Sequence, residues 1–183
     1  MTCRNKYLGD VFKRPPMIAY KRQLNLREHL IKAKVPKAPR LHQERRQNAI
    51  KRCGSGCLAC PYIKETKSVT INGINWKINR NLSCKSFNVI YAIICNKETC
   101  KKTYIGKTRR FLKSRLDDHR GYVNNHIDTA TGSHYTQPGH TLANLQVVIL
   151  EQVEKIGDAY RQEREEYFIR KFNTAHSGLN RKF

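Results

Sequence analysis

Two stretches decide how this chain folds: Asn88-Val89-Ile90-Tyr91-Ala92-Ile93-Ile94-Cys95 and Lys102-Thr103-Tyr104-Ile105-Gly106-Lys107-Thr108-Arg109-Arg110-Phe111-Leu112-Lys113-Ser114-Arg115-Leu116-Asp117-Asp118-His119. The first is a short run rich in β-branched and aromatic residues and reads as a strand, and Lys102 to Gly106 reads as a second. The segment TRRFLKSRLDDHRGYV (108–123) then reads as an amphipathic helix. Within it Arg115 and His119 are four residues apart, which sets a guanidinium and an imidazole on one helix face. Further along, LQVVILE (145–151) reads as a third strand and AYRQEREEYFIRKF (159–172) as a second helix. On that helix Glu165 has Phe168 and Ile169 at i+3 and i+4, which places it beside the buried stripe, ahead of its rivals Glu163 and Glu166. Gly178-Leu179-Asn180 follows. Together, residues 88–183 form the largest of three units.

The second unit, 53–87, is rich in cysteine. Cys53-x3-Cys57-x2-Cys60 lies in a glycine-containing loop. Zinc takes four ligands, so three thiolates need a fourth. Between Cys60 and Cys84, SVTI-Asn72-Gly73-INWKI reads as a β-hairpin, because Asn-Gly supplies the two positive φ angles of a tight turn. Pairing its strands brings Cys60 and Cys84 together, which makes Cys84 the candidate fourth ligand and His42 the weaker one. A second set joins Cys95 and Cys100, either side of a short loop, to His134 and His140 in the Gly/Pro-rich loop GSHYTQPGH (132–140). Two thiolates and two imidazoles would complete another tetrahedral zinc site. The alternatives are a small buried hydrophobe at Cys84 and surface histidines beside an unpaired cysteine pair.

The chain carries 36 Lys/Arg against 14 Asp/Glu, a formal net charge of +22 over 183 residues. Residues 1–52 hold 15 of those cations and only 3 of the acids. With Pro15, Pro16, Pro36 and Pro39, this first unit reads as a basic, largely extended arm carrying one short helix over 24–33. So large an excess calls for a polyanion, and DNA is the expected partner, with RNA the second candidate. No apolar run approaches the ~20 residues of a membrane span, and the N-terminus lacks the apolar core of a secretory signal. The expectation is an intracellular, nuclear chain without a membrane anchor, its cysteines reduced and available to metal.

The tyrosine triplets Val89-Ile90-Tyr91 and Tyr104-Ile105-Gly106, the helical Arg115, and the late Glu165 and Asn180 resemble the GIY-YIG nuclease family. The resemblance spans residues 88–183, and its most specific stretch is YIGKTRRFLKSRL (104–116). Val89 stands where the family usually has glycine, a change that a strand tolerates. The resemblance implies an α/β fold with a small, mainly antiparallel three-stranded sheet flanked by helices, preceded here by the zinc-binding linker and the basic arm. A cysteine cluster ahead of this fold, a cysteine pair in its first hairpin and a histidine pair after its first helix look like the endonuclease region of Penelope-like retroelements. There a reverse transcriptase precedes the nuclease, and PPMIAYKRQLNLREHLIKAKV (15–35) resembles the link between them.

The implied activity is metal-dependent hydrolysis of phosphodiester bonds, nicking target DNA for retroelement insertion. Glu165 is expected to hold one Mg²⁺ or Mn²⁺, and Arg115 to grip the non-bridging oxygens with its planar fork. Tyr91 is the expected general base. Its phenol, with an ordinary pKa of roughly 10, needs a cationic neighbour, and Lys107 or the metal site is the candidate. Tyr104 would orient water, His119 would relay or position, and Asn180 would tether the C-terminal turn. The structural alternatives are core tyrosines and an ion pair of Arg115 with Asp118 or Glu165. At the level of function the rivals are an inactive zinc-dependent nucleic-acid-binding module and a stand-alone repair or restriction nuclease.

Overall fold

The chain divides into two units, 1–43 and 44–183. The computed structural model describes residues 48–180 other than 55, 155 and 156, together with Leu26. The helix expected over 24–33 and His42 lie outside the described residues, except for Leu26, which is helical and exposed. Residues 48–52, the end of the expected basic arm, join the folded body. Ile50 is buried in a two-residue strand β1 (Ile50–Lys51) that pairs in parallel with β4 (Leu82–Ser83).

Between them, β2 (Ser68–Ile71) and β3 (Ile74–Lys77) form the expected hairpin, with Asn72 and Gly73 both at positive φ. The main sheet is three-stranded and wholly antiparallel, in the order β6 (Thr103–Thr108), β5 (Val89–Cys95), β7 (Leu145–Gln152). As the central strand, β5 is covered on both faces, and this accounts for its uninterrupted apolar sequence; Val89 is completely buried. Helix α1 (Leu112–Asn124) buries Leu112, Leu116, His119 and Val123, one stripe at helical spacing. A short helix α2 (Ala130–Tyr135) follows, then α3 (Asp158–Lys171) and the single turn α4 (Thr174–Ser177).

The hairpin is fastened to the sheet at a defect. Opposite the step from Ile90 to Tyr91, β7 carries one extra residue, Leu150, in a bulge. A bulge leaves a backbone group outside the ladder, and the Trp76 indole Nε1 donates to the Leu150 carbonyl at 2.9 Å. The same indole meets Phe168 edge-on, centroids 5.0 Å apart. On the other side of the hairpin turn, Asn72 Nδ2 donates to the Phe172 carbonyl at 2.6 Å. The cysteine-rich segment and the three-stranded sheet therefore share one core.

At the end of the described chain, the Asn180 amide is spent on β6. Its Nδ2 donates to the Ile105 carbonyl and its Oδ1 accepts from the Ile105 amide, both at 2.8 Å. Gly178 is needed for this approach, because a Cβ there would sit 2.3 Å from the Thr103 carbonyl.

Candidate active site and metal centres

On β5 and β6 the pleat sorts the expected catalytic residues onto two faces. Tyr91 is paired with Gly106, and Ile90 with Lys107. Side chains alternate along a strand, so Tyr91 and Lys107 point to opposite faces. The cation that touches Tyr91 is therefore Arg115 rather than Lys107, its Nε donating to the Tyr91 hydroxyl at 3.0 Å. The phenol ring lies over Gly106, where an added Cβ would meet the Tyr91 hydroxyl at 2.7 Å and Tyr104 Cε1 at 2.8 Å. The glycine of the Tyr104-Ile105-Gly106 triplet thus leaves room for the other tyrosine.

The Tyr91 hydroxyl also lies 2.8 Å from His119 Nε2, and His119 Nδ1 lies 2.8 Å from Thr131 Oγ1. Burial, with the Arg115 charge beside it, pushes His119 down to about 3, so the imidazole is neutral near neutral pH. A neutral imidazole has one donor and one acceptor nitrogen. Arg115 already donates to the Tyr91 oxygen, so the phenol proton points at His119 Nε2, leaving Nδ1–H to donate to Thr131. Tyr104 and Tyr122 close the ring edge-on, with centroids 5.7 and 5.8 Å from that of His119. Burial raises the Tyr91 pKa, and Arg115 opposes this.

Glu165 sits on the stripe of α3 that also buries Arg161, Phe168 and Ile169, with its side chain 13% exposed. Lys107 Nζ approaches it at 3.4 Å and also donates to Gln162. Burial raises the Glu165 pKa, and Lys107 and Arg115 oppose the rise. Of its rivals, Glu163 is exposed, and Glu166 is held by Gln162 and Arg170. Arg115 does meet Asp118, at 3.4 Å, in addition to Tyr91 and Tyr122.

The structure brings together both sets of candidate zinc ligands. Cys53, Cys57, Cys60 and Cys84 converge with their sulfurs within 4.8 Å of one another. Adjacent sulfurs are 3.5–3.6 Å apart, close to the roughly 3.8 Å edge of a tetrahedron with 2.3 Å zinc–sulfur bonds. The Cys53 amide donates to Cys60 Sγ at 3.3 Å, as outer-shell support would. Cys95, Cys100, His134 and His140 converge likewise. Cys100 Sγ lies 3.6 Å from His134 Nε2, the edge that mixed sulfur and nitrogen ligation of zinc gives, about 3.6 Å. Both ring nitrogens of His140 are buried without a hydrogen-bond partner among the described residues, and buried polar atoms rarely go unsatisfied. Both donor sets fit zinc.

The sequence placed His134 in a loop; it stands on α2, whose N-cap Thr129 accepts from the Gly132 amide. A Thr three residues before a glycine is too weak a signal to reveal so short a helix. Thr131, the partner of His119, was missed for the same reason, since only α2 brings it to α1.

The neutral His119 gives an acid-stability test. Folded, it takes a proton only near pH 3; unfolded, it does so below its ordinary value of about 6.5. Its contribution is therefore complete above about pH 6.5 and is lost as pH falls from there toward 3. Wild type should lose up to about 1.4 kcal/mol per pH unit more than His119→Gln across that window in urea titrations. Parallel slopes for the two proteins would contradict the assignment.

Residues 87–180 match the family profile of the GIY-YIG catalytic domain. No curated protein matches the chain. Among solved structures, the catalytic domain of the homing endonuclease I-TevI aligns with a TM-score of 0.44 and 20% identity, over 52% of this chain and 98% of that one. Spanning just over half of the sequence, the family match shows that the chain belongs to the GIY-YIG family and that its catalytic domain is an endonuclease of that type.

Proposed function

We propose that this chain is a metal-dependent DNA endonuclease that nicks target DNA for the insertion of a Penelope-like retroelement, working in the nucleus with the element's reverse transcriptase. The observation that carries the enzymatic reading is the buried contact of Tyr91 with Arg115 and His119, beside a carboxylate held on α3. In an inactive binding module the network would serve only to satisfy the buried hydroxyl. Support for the retroelement assignment comes from the two zinc-compatible clusters, one ahead of the nuclease sheet and one built into it, and from the +22 charge.

Glu165 would hold the Mg²⁺ or Mn²⁺, as a partly buried carboxylate that a cation already attends. When bound, that ion supplies polarisation of the phosphate and stabilisation of the leaving 3′ oxygen. Arg115 exchanges its bonds with Tyr91 and Asp118 for the non-bridging oxygens of the phosphodiester, which uncovers the Tyr91 hydroxyl. The attacking water gives its proton to the Tyr91 oxygen as the phenol proton passes to His119 Nε2. Burial chiefly holds His119 unprotonated, and a phosphate on Arg115 offsets the guanidinium charge that adds to it; Thr131 keeps the imidazole turned. Tyr104 lines the same pocket and orients the water. Asn180 acts through the backbone of Ile105, between Tyr104 and Gly106.

Glu165→Ala should abolish cleavage of supercoiled plasmid while leaving DNA binding intact or tighter, since a negative charge is gone and alanine favours the helix. Arg115→Ala should lose cleavage together with some affinity. Tyr91→Phe keeps the ring and deletes the hydroxyl, and should slow nicking by ~10²–10⁴, the usual contribution of a general base. Wild-type protein that binds plasmid but never nicks it under any divalent metal would assign the fold to the inactive module. Elemental analysis should find two zinc ions per chain, with Cys84→Ser removing one. Finding none in protein purified without chelator would remove both metal centres from the account.

A further inference from the structure

Two large aromatic side chains are left in solvent at a rigid place. Phe87 is 55% exposed and Phe111 49%, and their rings meet edge-to-face with centroids 6.0 Å apart. Neither sits on a loose loop. Leu112 and Lys113 donate to the carbonyls of Ser86 and Cys84 at 2.9 Å, Asn88 donates to Arg109 at 3.3 Å, and Gln152 Nε2 holds the Phe87 carbonyl at 3.1 Å. Phe111 is also the N-cap of α1, with no side-chain cap. Ser, Thr, Asp or Asn there would stabilise the helix by ~1 kcal/mol. An exposed aromatic pair and a missing cap break two folding preferences at one spot, as happens where a surface serves a ligand.

The surroundings say what that ligand is. Lys85, Lys113, Arg109 and Arg110 are exposed on the two segments that carry the phenylalanines. The acids nearby, Asp117 and Asp118, are paired with Arg120 and Arg110. Lys85, Lys113 and the paired Asp117 line a cavity of about 310 Å³ together with Cys53, Cys57 and Leu58 (67% exposed). Phe111 lies one helical turn before Arg115, and its carbonyl accepts from the Arg115 amide at 3.2 Å. Four residues of helix span about 6 Å, on the order of two nucleotide steps of a strand. Base pairs within a duplex present no free faces to such rings.

We infer that Phe87 and Phe111 form an L-shaped seat for an unpaired base within about two nucleotides of the scissile phosphate, one ring stacked on its face and the other against its edge, with Lys85 and Lys113 holding that strand's backbone. The surface selects DNA with a single-stranded or opened step over intact duplex. This rests on the reading of the chain as a DNA endonuclease.

The test uses the full chain with fluorescent oligonucleotides, a perfect duplex and the same duplex with a short single-stranded gap. Wild type should prefer the gapped DNA. The double variant Phe87→Ala/Phe111→Ala should lose about 5- to 150-fold in affinity for it, the loss of one stacked base, with the salt dependence unchanged. Lys85→Gln/Lys113→Gln should instead reduce the slope of log K against log salt by about 1.4, two single-strand phosphate contacts. All four side chains are exposed, so circular dichroism and zinc content should match wild type. Equal wild-type affinity for the two DNAs, with the phenylalanine variant indistinguishable from it, would overturn the inference and leave the nuclease reading intact. A variant that alters oligomeric state at unchanged DNA affinity would also overturn it, assigning the patch to a second copy. Wild type that binds neither DNA would refute both.

Discussion

The position of one hydroxyl governs the rest of the site. Tyr91 lies on the most buried strand among the described residues, its ring crosses Gly106 with no room for a methyl group, and its oxygen is held by Arg115 and His119. A buried hydroxyl without partners costs about 1–3 kcal/mol, so the network that satisfies it also fixes the geometry of everything touching it. Arg115 and His119 must come from one face of α1, one turn apart. His119 must stay neutral to accept from the phenol, which its burial and the guanidinium beside it ensure. The same arrangement poses the catalytic problem: a phenol made less acidic by burial is useful as a base only where a phosphate draws the guanidinium from its oxygen and an imidazole stands ready for its proton.

The two cysteine-containing clusters brace this centre from opposite ends. In the first, Cys84 leads into the segment whose carbonyls receive the opening amides of α1, so the start of the Arg115 helix is tied to that cluster. In the second, Cys95 closes the strand that carries Tyr91, and His134 stands on the short helix that carries Thr131. Ligating zinc there would fix Thr131 against His119. The main sheet is small, with three strands, and the Trp76 bond to the β7 bulge ties the hairpin to it.

Much of this was legible in the sequence because it is carried by local periodicity. The helix bearing Arg115 and His119, the hairpin at Asn72-Gly73 and the central strand all follow from spacing within short windows. Glu165 was preferred over Glu163 and Glu166 from the apolar residues that follow it, and it is the one that Lys107 meets beside the buried stripe. What escaped depends on register or on distant contacts. Lys107 looked like the cation for Tyr91 because the two strands had no assigned pairing; once Tyr91 faces Gly106, the pleat sends Lys107 the other way. Thr131 and the helical setting of His134 depend on a six-residue helix, whose cap is its only local sign. The bulge at Leu150 answers to a tryptophan 74 residues away, and no window contains both.

The most direct test of the claim that the Tyr91 hydroxyl is the working group is a double-mutant cycle on Gly106 and Tyr91, read by single-turnover cleavage of DNA. Alanine is less costly than glycine inside a strand, so Gly106→Ala should fold, and its methyl group should push the hydroxyl aside and slow cleavage by about 10²-fold, the cost of an ångström-scale misplacement. In a Tyr91→Phe background the same substitution should cost much less than in wild type, leaving only the part that comes from crowding Tyr104, 2.8 Å from the same methyl group. Full activity of Gly106→Ala, or losses that multiply in the double variant, would show that catalysis does not run through that oxygen.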